Sequence, residues 1–169
     1  MSEKRLPTDP TRVVRAVILS VEPRKIQADM ILAIGMIETS QFTSPAFLIT
    51  NSISNRHAGS GRGHWTGRVY DTMSGKSYPS VQHRFRDPAA TGEDLRIYED
   101  VAQSVRDFLH LLQDPLYRNA SVYYESGLYW EFFKALVHGN GDVGYMGAVD
   151  NLKTQAYSSA AQYYYEVLV

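Results

Sequence analysis

Glu38 sits where a carboxylate is least expected. Helical spacing over Ile26 to Thr39 places Met30, Ala33, Ile34 and Ile37 on one apolar face, and Ile31, Ile34, Gly35 and Glu38 along an adjoining one. Desolvation makes a charged glutamate costly on such a surface. The C-terminal end of a helix carries partial negative charge and opposes the carboxylate further. Both effects favour a glutamic acid that keeps its proton, which is the group needed to protonate the leaving oxygen of a glycoside. The helix wheel leaves a second placement open, with Glu38 at the helix rim facing water. Other chemistries find less support. His57 and His64 flank the glycine-rich basic run Arg56 to His64, but their spacing matches no zinc pattern and there is no cysteine to assist. Gly75-Lys76-Ser77 lacks the upstream glycine of a phosphate-binding loop, and no G-x-S-x-G nucleophile elbow is present. Neither a metal nor a cofactor is expected.

The elements that must position Glu38 can be read around it. The chain has 169 residues, enough for one domain that buries roughly two thirds of its unfolded surface. Seventeen Lys and Arg against eighteen Asp and Glu argue against a dedicated nucleic-acid binder. Tyrosine is plentiful, at twelve, and suits sugar stacking, protein interfaces or plain half-burial. Met1 to Asp9 is polar, without the apolar core of a secretory signal. The apolar stretch Ile31 to Ile37 is too short to span a bilayer, so no membrane insertion is expected. A first helix is expected after Asp9-Pro10, with Asp9 as N-cap and Pro23 as its stop. The second is the Glu38 helix. Ser40 to Asp94 reads as a β-hairpin lobe with strands at Gly67–Thr72, Val81–Arg86 and Leu95–Tyr98, and turns at Ser74-Gly75 and Thr91-Gly92. Asp100 with Gln103 resembles a capping box opening a third helix that Asp114-Pro115 closes. A fourth spans about Ser121 to Val137, closed by His138-Gly139-Asn140-Gly141. A turn-rich stretch then reaches Tyr145, and a last helix covers about Val149 to Leu168. The expected class is α+β and predominantly helical, with residues 1–25 as an N-terminal segment and first helix ahead of a unit over 26–169.

Several of these segments, in this order, resemble the glucosaminidase domains of peptidoglycan hydrolases, the family of bacterial autolysins and the flagellar cell-wall hydrolase. Met30 to Ser40 is similar to the family's helix I-L-A-Q-x-A-L-E-S, which ends in the catalytic acid, with Glu38 in that place and Thr39 for Ser. Thr50 to Arg56 resembles N-x-F-G-I-K, Trp65-Thr66-Gly67 the W-x-G that opens the hairpin, and Leu95 to Asp100 with Ser104 to Phe108 the pair F-R-x-Y-x-S and S-x-x-D-Y. Leu112 to Tyr117 resembles L-x-x-N-P-x-Y, Gln155 to Ser159 stands for G-Y-A-T-D, and Tyr163 to Leu168 for the closing Y-x-x-x-L. Ser40-Gln41-Phe42 departs from the Gly-Trp-Gly that usually follows the acid.

The resemblance implies a lysozyme-like fold whose hairpin lobe lies beside an active-site cleft. The activity implied is cleavage of a β-1,4 bond of peptidoglycan, of the endo-β-N-acetylglucosaminidase or muramidase type, with Glu38 as acid. The family's second carboxylate lies on the first hairpin strand, four residues before the turn. Asp71 takes that place if the turn is at Gly75, and Asp87 is the rival if the turn is at Pro88 to Gly92. The substrate's own acetamido group is a further option for the second role. Tyr157 is expected to line the site, Asn51 to belong to the binding segment, and Trp65, Tyr70 and Tyr78 to stack on sugar faces or simply to pack the hairpin. The partners expected are glycan strands and other phage structural proteins, with the chain acting in a virion, a tail or a lysis system. The competing readings are a catalytically degenerate structural protein on the same fold and a sugar-binding module without hydrolysis.

Overall fold

The computed structural model describes residues 10–58, 65–138 and 151–167. Eight helices are described, α1 (Pro10–Val21), α2 (Lys25–Glu38), α3 (Pro45–Thr50), α4 (Val81–Phe85), α5 (Val101–Leu111), α6 (Arg118–Glu125), α7 (Tyr129–His138) and α8 (Asn151–Val167). With them go three short strands, β1 (Val69–Asp71), β2 (Ser77–Tyr78) and β3 (Asp94–Arg96), and a 3₁₀ turn at Pro115–Tyr117. The chain is therefore α+β and mostly helical. Several expectations fall outside the described residues: the Asp9 cap, most of the basic run before Trp65, the Gly139 to Gly141 stop, the stretch to Tyr145, the start of the last helix at Val149, and Leu168.

The organising element is α2. Nine consecutive residues, Gln27 to Gly35, are buried, which no single apolar stripe could produce. A helix apolar on every side must be surrounded, and α1 and α8 both pack along it. Val14 and Ile18 of α1, Phe108 and Leu112 near α5, Phe132, Phe133 and Leu136 of α7, and Ala161 of α8 join α2 in one core cluster. The first helix thus shares its core with the rest.

Asp100 caps α5 as expected, while the reciprocal bond of Gln103 reaches one residue further back, to Glu99. The Asp100 carboxylate accepts from Gln103 N at 2.7 Å, and the Gln103 amide oxygen accepts from Glu99 N at 2.7 Å, satisfying N–H groups at the start of α5. Two other expectations need correction. The helix expected over Ser121 to Val137 is two helices. Gly127 stands at φ 69°, its N–H bonds the Tyr124 carbonyl at 3.1 Å, and Leu128 N–H bonds the Tyr123 carbonyl at 3.1 Å. That pair of bonds is a Schellman stop, and α7 restarts behind it.

Val81–Arg86 is not a strand. The Ser80 hydroxyl accepts from His83 N and opens α4, and Gln82, His83, Phe85 and Arg86 are all exposed, without the alternation a strand would need. The strand that pairs with β1 in its place is β2. β1 has two edges, and both are occupied antiparallel, by β2 (Val69 opposite Tyr78) and by β3 (Val69 opposite Arg96). α3 is an addition to the expected lobe, with Ser44 capping Phe47 N at 3.1 Å and Pro45 in the first turn.

Behind Glu38 the chain makes a left-handed turn. Ser40, Gln41 and Phe42 have φ values of 51°, 57° and 63°, a conformation costing about 1–2 kcal/mol per L-residue. Thr39 secures it, its hydroxyl donating to the Gly35 carbonyl and accepting from Phe42 N at 2.8 Å. The turn swings the Phe42 ring back onto α2, where it is fully buried. A methyl group added at Gly35 would lie 2.6 Å from that ring. Gly35→Ala is therefore expected to cost about 1–3 kcal/mol in urea unfolding, although alanine is the better helix former. Unchanged stability would show that the ring does not rest on Gly35.

Candidate functional site

Glu38 is the last residue of α2, where a helix buried along its middle reaches the surface, and its side chain is half-buried. Tyr157, 119 residues later on α8, is fully buried against Phe133, with ring centroids 5.3 Å apart. The Tyr157 hydroxyl donates to Glu38 Oε1. Two residues singled out from sequence thus meet through one hydrogen bond, which the packing of α8 along α2 makes possible. The phenol donates to one oxygen without adding charge, and it fixes the carboxyl plane in one orientation. From the other side the Asn55 amide donates to the Glu38 carbonyl at 2.7 Å. That carbonyl is one of the unsatisfied acceptors at a helix C-terminus.

Asp71 is placed otherwise. Its side chain is fully enclosed at the end of β1. One oxygen, Oδ2, accepts from Met73 N at 3.1 Å and Ser74 N at 2.6 Å, and the other from Gly92 N at 3.0 Å and the Arg84 guanidinium at 2.8 Å. Burial alone would push its carboxyl up, but the Ser74 and Gly92 N–H groups and Arg84 outweigh it and hold the carboxyl below its ordinary range. Donors from three parts of the lobe converge on this one charge, so it ties the β1–β2 turn, α4 and the Gly92 loop together.

Asp87 is also engaged. The Tyr78 hydroxyl donates to it at 2.6 Å and Ala89 N at 2.9 Å, and the Tyr78 bond is the main reason its carboxyl is lowered. Tyr78 is buried, and so is Tyr70, against Leu95 and Ile97. Both aspartates thus take their hydrogen bonds from within the lobe.

The remaining sequence candidates converge at a second place. Asn51, at φ 53°, caps α3 and donates its amide to the Tyr98 carbonyl at 3.0 Å. Ile53 N donates to Ser104 Oγ at 3.3 Å. Asp107 receives Arg56 at 2.8 Å, Arg96 at 3.3 Å and the Tyr98 hydroxyl. Trp65 packs edge-on to Tyr98 at 5.3 Å, lies 5.2 Å from the Arg96 guanidinium, and donates its indole N–H to the Arg68 carbonyl at 2.8 Å. Segments scattered from Asn51 to Asp107 in the chain form one polar joint between the lobe and α5. No group of metal-ligating side chains occurs among the described residues, and no described helix is long and apolar enough to cross a membrane.

Asn55 and Thr39 are the residues that sequence reasoning missed around Glu38. The available signal was an asparagine in a loop, the residue type that best tolerates positive φ after glycine, and Asn55 stands at 50°. Comparison of the chain with protein-family models, curated proteins and solved structures finds no match.

Asp71 has a direct consequence for stability. Its carboxyl titrates lower in the folded chain than the ~3.9 of an unfolded aspartate. The contribution is therefore complete above about pH 5 and is lost as pH falls through the folded value. Asp71→Asn, which leaves Arg84 without its partner charge, is expected to lose roughly 3 kcal/mol at neutral pH. Its stability is also expected to fall less steeply than wild type between about pH 5 and pH 2. Thermal melts across that range check both, and parallel acid profiles would reassign the acid sensitivity to other carboxylates.

Proposed function

We propose that this chain is a glycosidase acting on peptidoglycan, with a lysozyme-like arrangement in which the acid-bearing end of α2 faces the hairpin lobe. The observation that carries the reading is the Tyr157–Glu38 hydrogen bond. The resemblance assigns the acid and the site tyrosine to these two positions from separate motifs, and in the fold they touch. The joint around Asp107 supports it, because it draws together the Asn51, Trp65, Arg96 and Ser104 segments that carry the rest of the resemblance.

In this mechanism a glycan strand lies against the end of α2. Glu38 gives its proton to the glycosidic oxygen as the bond to the anomeric carbon breaks and positive charge builds on the ring. The second role goes to the substrate's own acetamido group, since Asp71 is fully enclosed and its oxygens serve the turn. The acetamido oxygen closes on the anomeric carbon. Water then opens that ring, giving its proton to the Glu38 carboxylate and restoring the acid. Tyr157 holds Glu38 Oε1, so the carboxyl meets the leaving oxygen in a fixed plane.

A second reading has one observation in its favour. The two candidate aspartates, Asp71 and Asp87, are committed to local structure, as they would be in a structural protein of a phage particle that keeps the fold and has lost the chemistry. The two readings separate on purified cell walls. Glu38→Gln is expected to lower the rate of turbidity loss by about 10²–10⁴-fold, and Tyr157→Phe by about 10-fold or more, with the fold retained. Mass spectrometry of the new reducing ends identifies the bond cut. Equal clearing by wild type and Glu38→Gln removes the catalytic role, and no clearing by either favours the particle protein.

A further inference from the structure

Besides Tyr157 on the Glu38 carboxyl, a loop side chain holds the end of α2 from outside the helix, through the backbone. Asn55 reaches the Glu38 carbonyl with its amide at 2.7 Å, across 17 residues of chain. Its own backbone is at φ 50°, where few residues other than glycine and asparagine settle. The segment that carries it is tied down on both sides. Ile53 N bonds Ser104 Oγ at 3.3 Å, and Arg56 bonds Asp107 at 2.8 Å. Asn55 therefore projects from a loop fixed to α5 and the lobe, and delivers a donor to the carbonyl of the last residue of α2. Within α2 itself the Thr39 hydroxyl and backbone N–H are spent on Gly35, so they do not serve the Glu38 carbonyl.

We infer that Asn55 is a positioning residue for Glu38. It clamps the final turn of α2 to the joint around Asp107, and so sets where the acid stands relative to the lobe. It touches the acid's backbone and not the reacting atoms. Removing the amide unties the final turn of α2 from the Asp107 joint while Tyr157 still holds Oε1, and the acid then shifts relative to the lobe, where a displacement of about 1 Å can cost about 100-fold in rate. The clamp itself is a structural claim; its catalytic consequence rests on the glycosidase reading.

Asn55→Gly is the informative variant, because glycine accepts the positive φ without strain and removes only the amide. Asn55→Asp keeps the shape and replaces the donor with an acceptor facing a carbonyl. Two measurements on the full-length chain are compared with wild type: amide hydrogen exchange over residues 36–42 against residues 101–111, and initial rates on soluble glycan fragments. Exchange over 36–42 is expected to rise about 10-fold or more in both variants, with 101–111 unchanged. With Asn55→Gly, kcat is expected to fall about 10- to 100-fold while KM stays within about twofold. Wild-type exchange over 36–42, or a rise spread evenly over both segments, overturns the clamp. Local loosening at full kcat overturns the positioning role and leaves the glycosidase reading standing. If wild type and Glu38→Gln are equally inactive, the glycosidase reading fails, and the exchange comparison still decides whether Asn55 holds the helix end.

Discussion

Burial of α2 on every side is the constraint from which the rest of the molecule follows. A helix enclosed from Gln27 to Gly35 needs neighbours all round, and it has them in α1 and α8, with α5 and α7 completing the same core. Its polar groups must then be met individually, since a buried amide or carboxylate without a partner is costly. Gln27 donates to the Tyr124 carbonyl at 3.2 Å, and Asp29, fully buried, takes Arg15 at 3.3 Å. Burial nonetheless pushes the Asp29 carboxyl upward. At its C-terminal end the helix reaches the surface, and there it carries Glu38, half-exposed on a buried base.

Tyrosine is a recurring partner for carboxylates among the described residues. Tyr124 donates to Glu22 at 2.8 Å, Tyr78 to Asp87 at 2.6 Å, Tyr98 to Asp107 and Tyr157 to Glu38. Each pair joins elements distant in the chain or closes a loop of the lobe. The cost falls on the phenols. Burial, then the adjacent carboxylate, pushes Tyr98 and Tyr124 well above the ordinary phenol range, so they remain neutral donors. Three of the four pairs are structural joints. The fourth differs in its setting, because Glu38 is half-exposed at a helix end whereas Tyr157 is anchored in the core. The same bond that elsewhere fastens the fold here orients an acid.

The lobe obeys a different logic. Its strands are two and three residues long and could not hold a hairpin unaided. Asp71 supplies what the ladder lacks, gathering N–H groups from Ser74 and Gly92 and the Arg84 guanidinium around one enclosed charge. A carboxylate so used is held too tightly to share with a substrate. On the opposite flank Asp107 gathers two guanidiniums and a phenol and fastens the lobe to α5. Two polar knots thus hold the lobe, one within it and one joining it to α5.

What could be read from sequence was local. The Ile26 to Thr39 pattern placed Glu38 at a helix end because helical periodicity is written in consecutive residues, and Asp100 with Gln103 marked the start of α5 because a cap is made within four residues. The α6–α7 break at Gly127 and the α3 start at Ser44-Pro45 were written in the same local code, but were obscured by an apolar run and by a loop-like composition. Other features lie outside any local code. Val81–Arg86 has a strand-like composition, but Ser80 caps it as a helix and β2 takes the place beside β1. Asp71 and Asp87 look alike in sequence as acids near turns, and only the folded lobe shows both consumed by donors. Tyr157 meets Glu38, and Asn55 its carbonyl, because α8 and a fixed loop arrive from elsewhere in the chain. Contacts between distant segments depend on the packing of the whole core, which no run of neighbouring residues records.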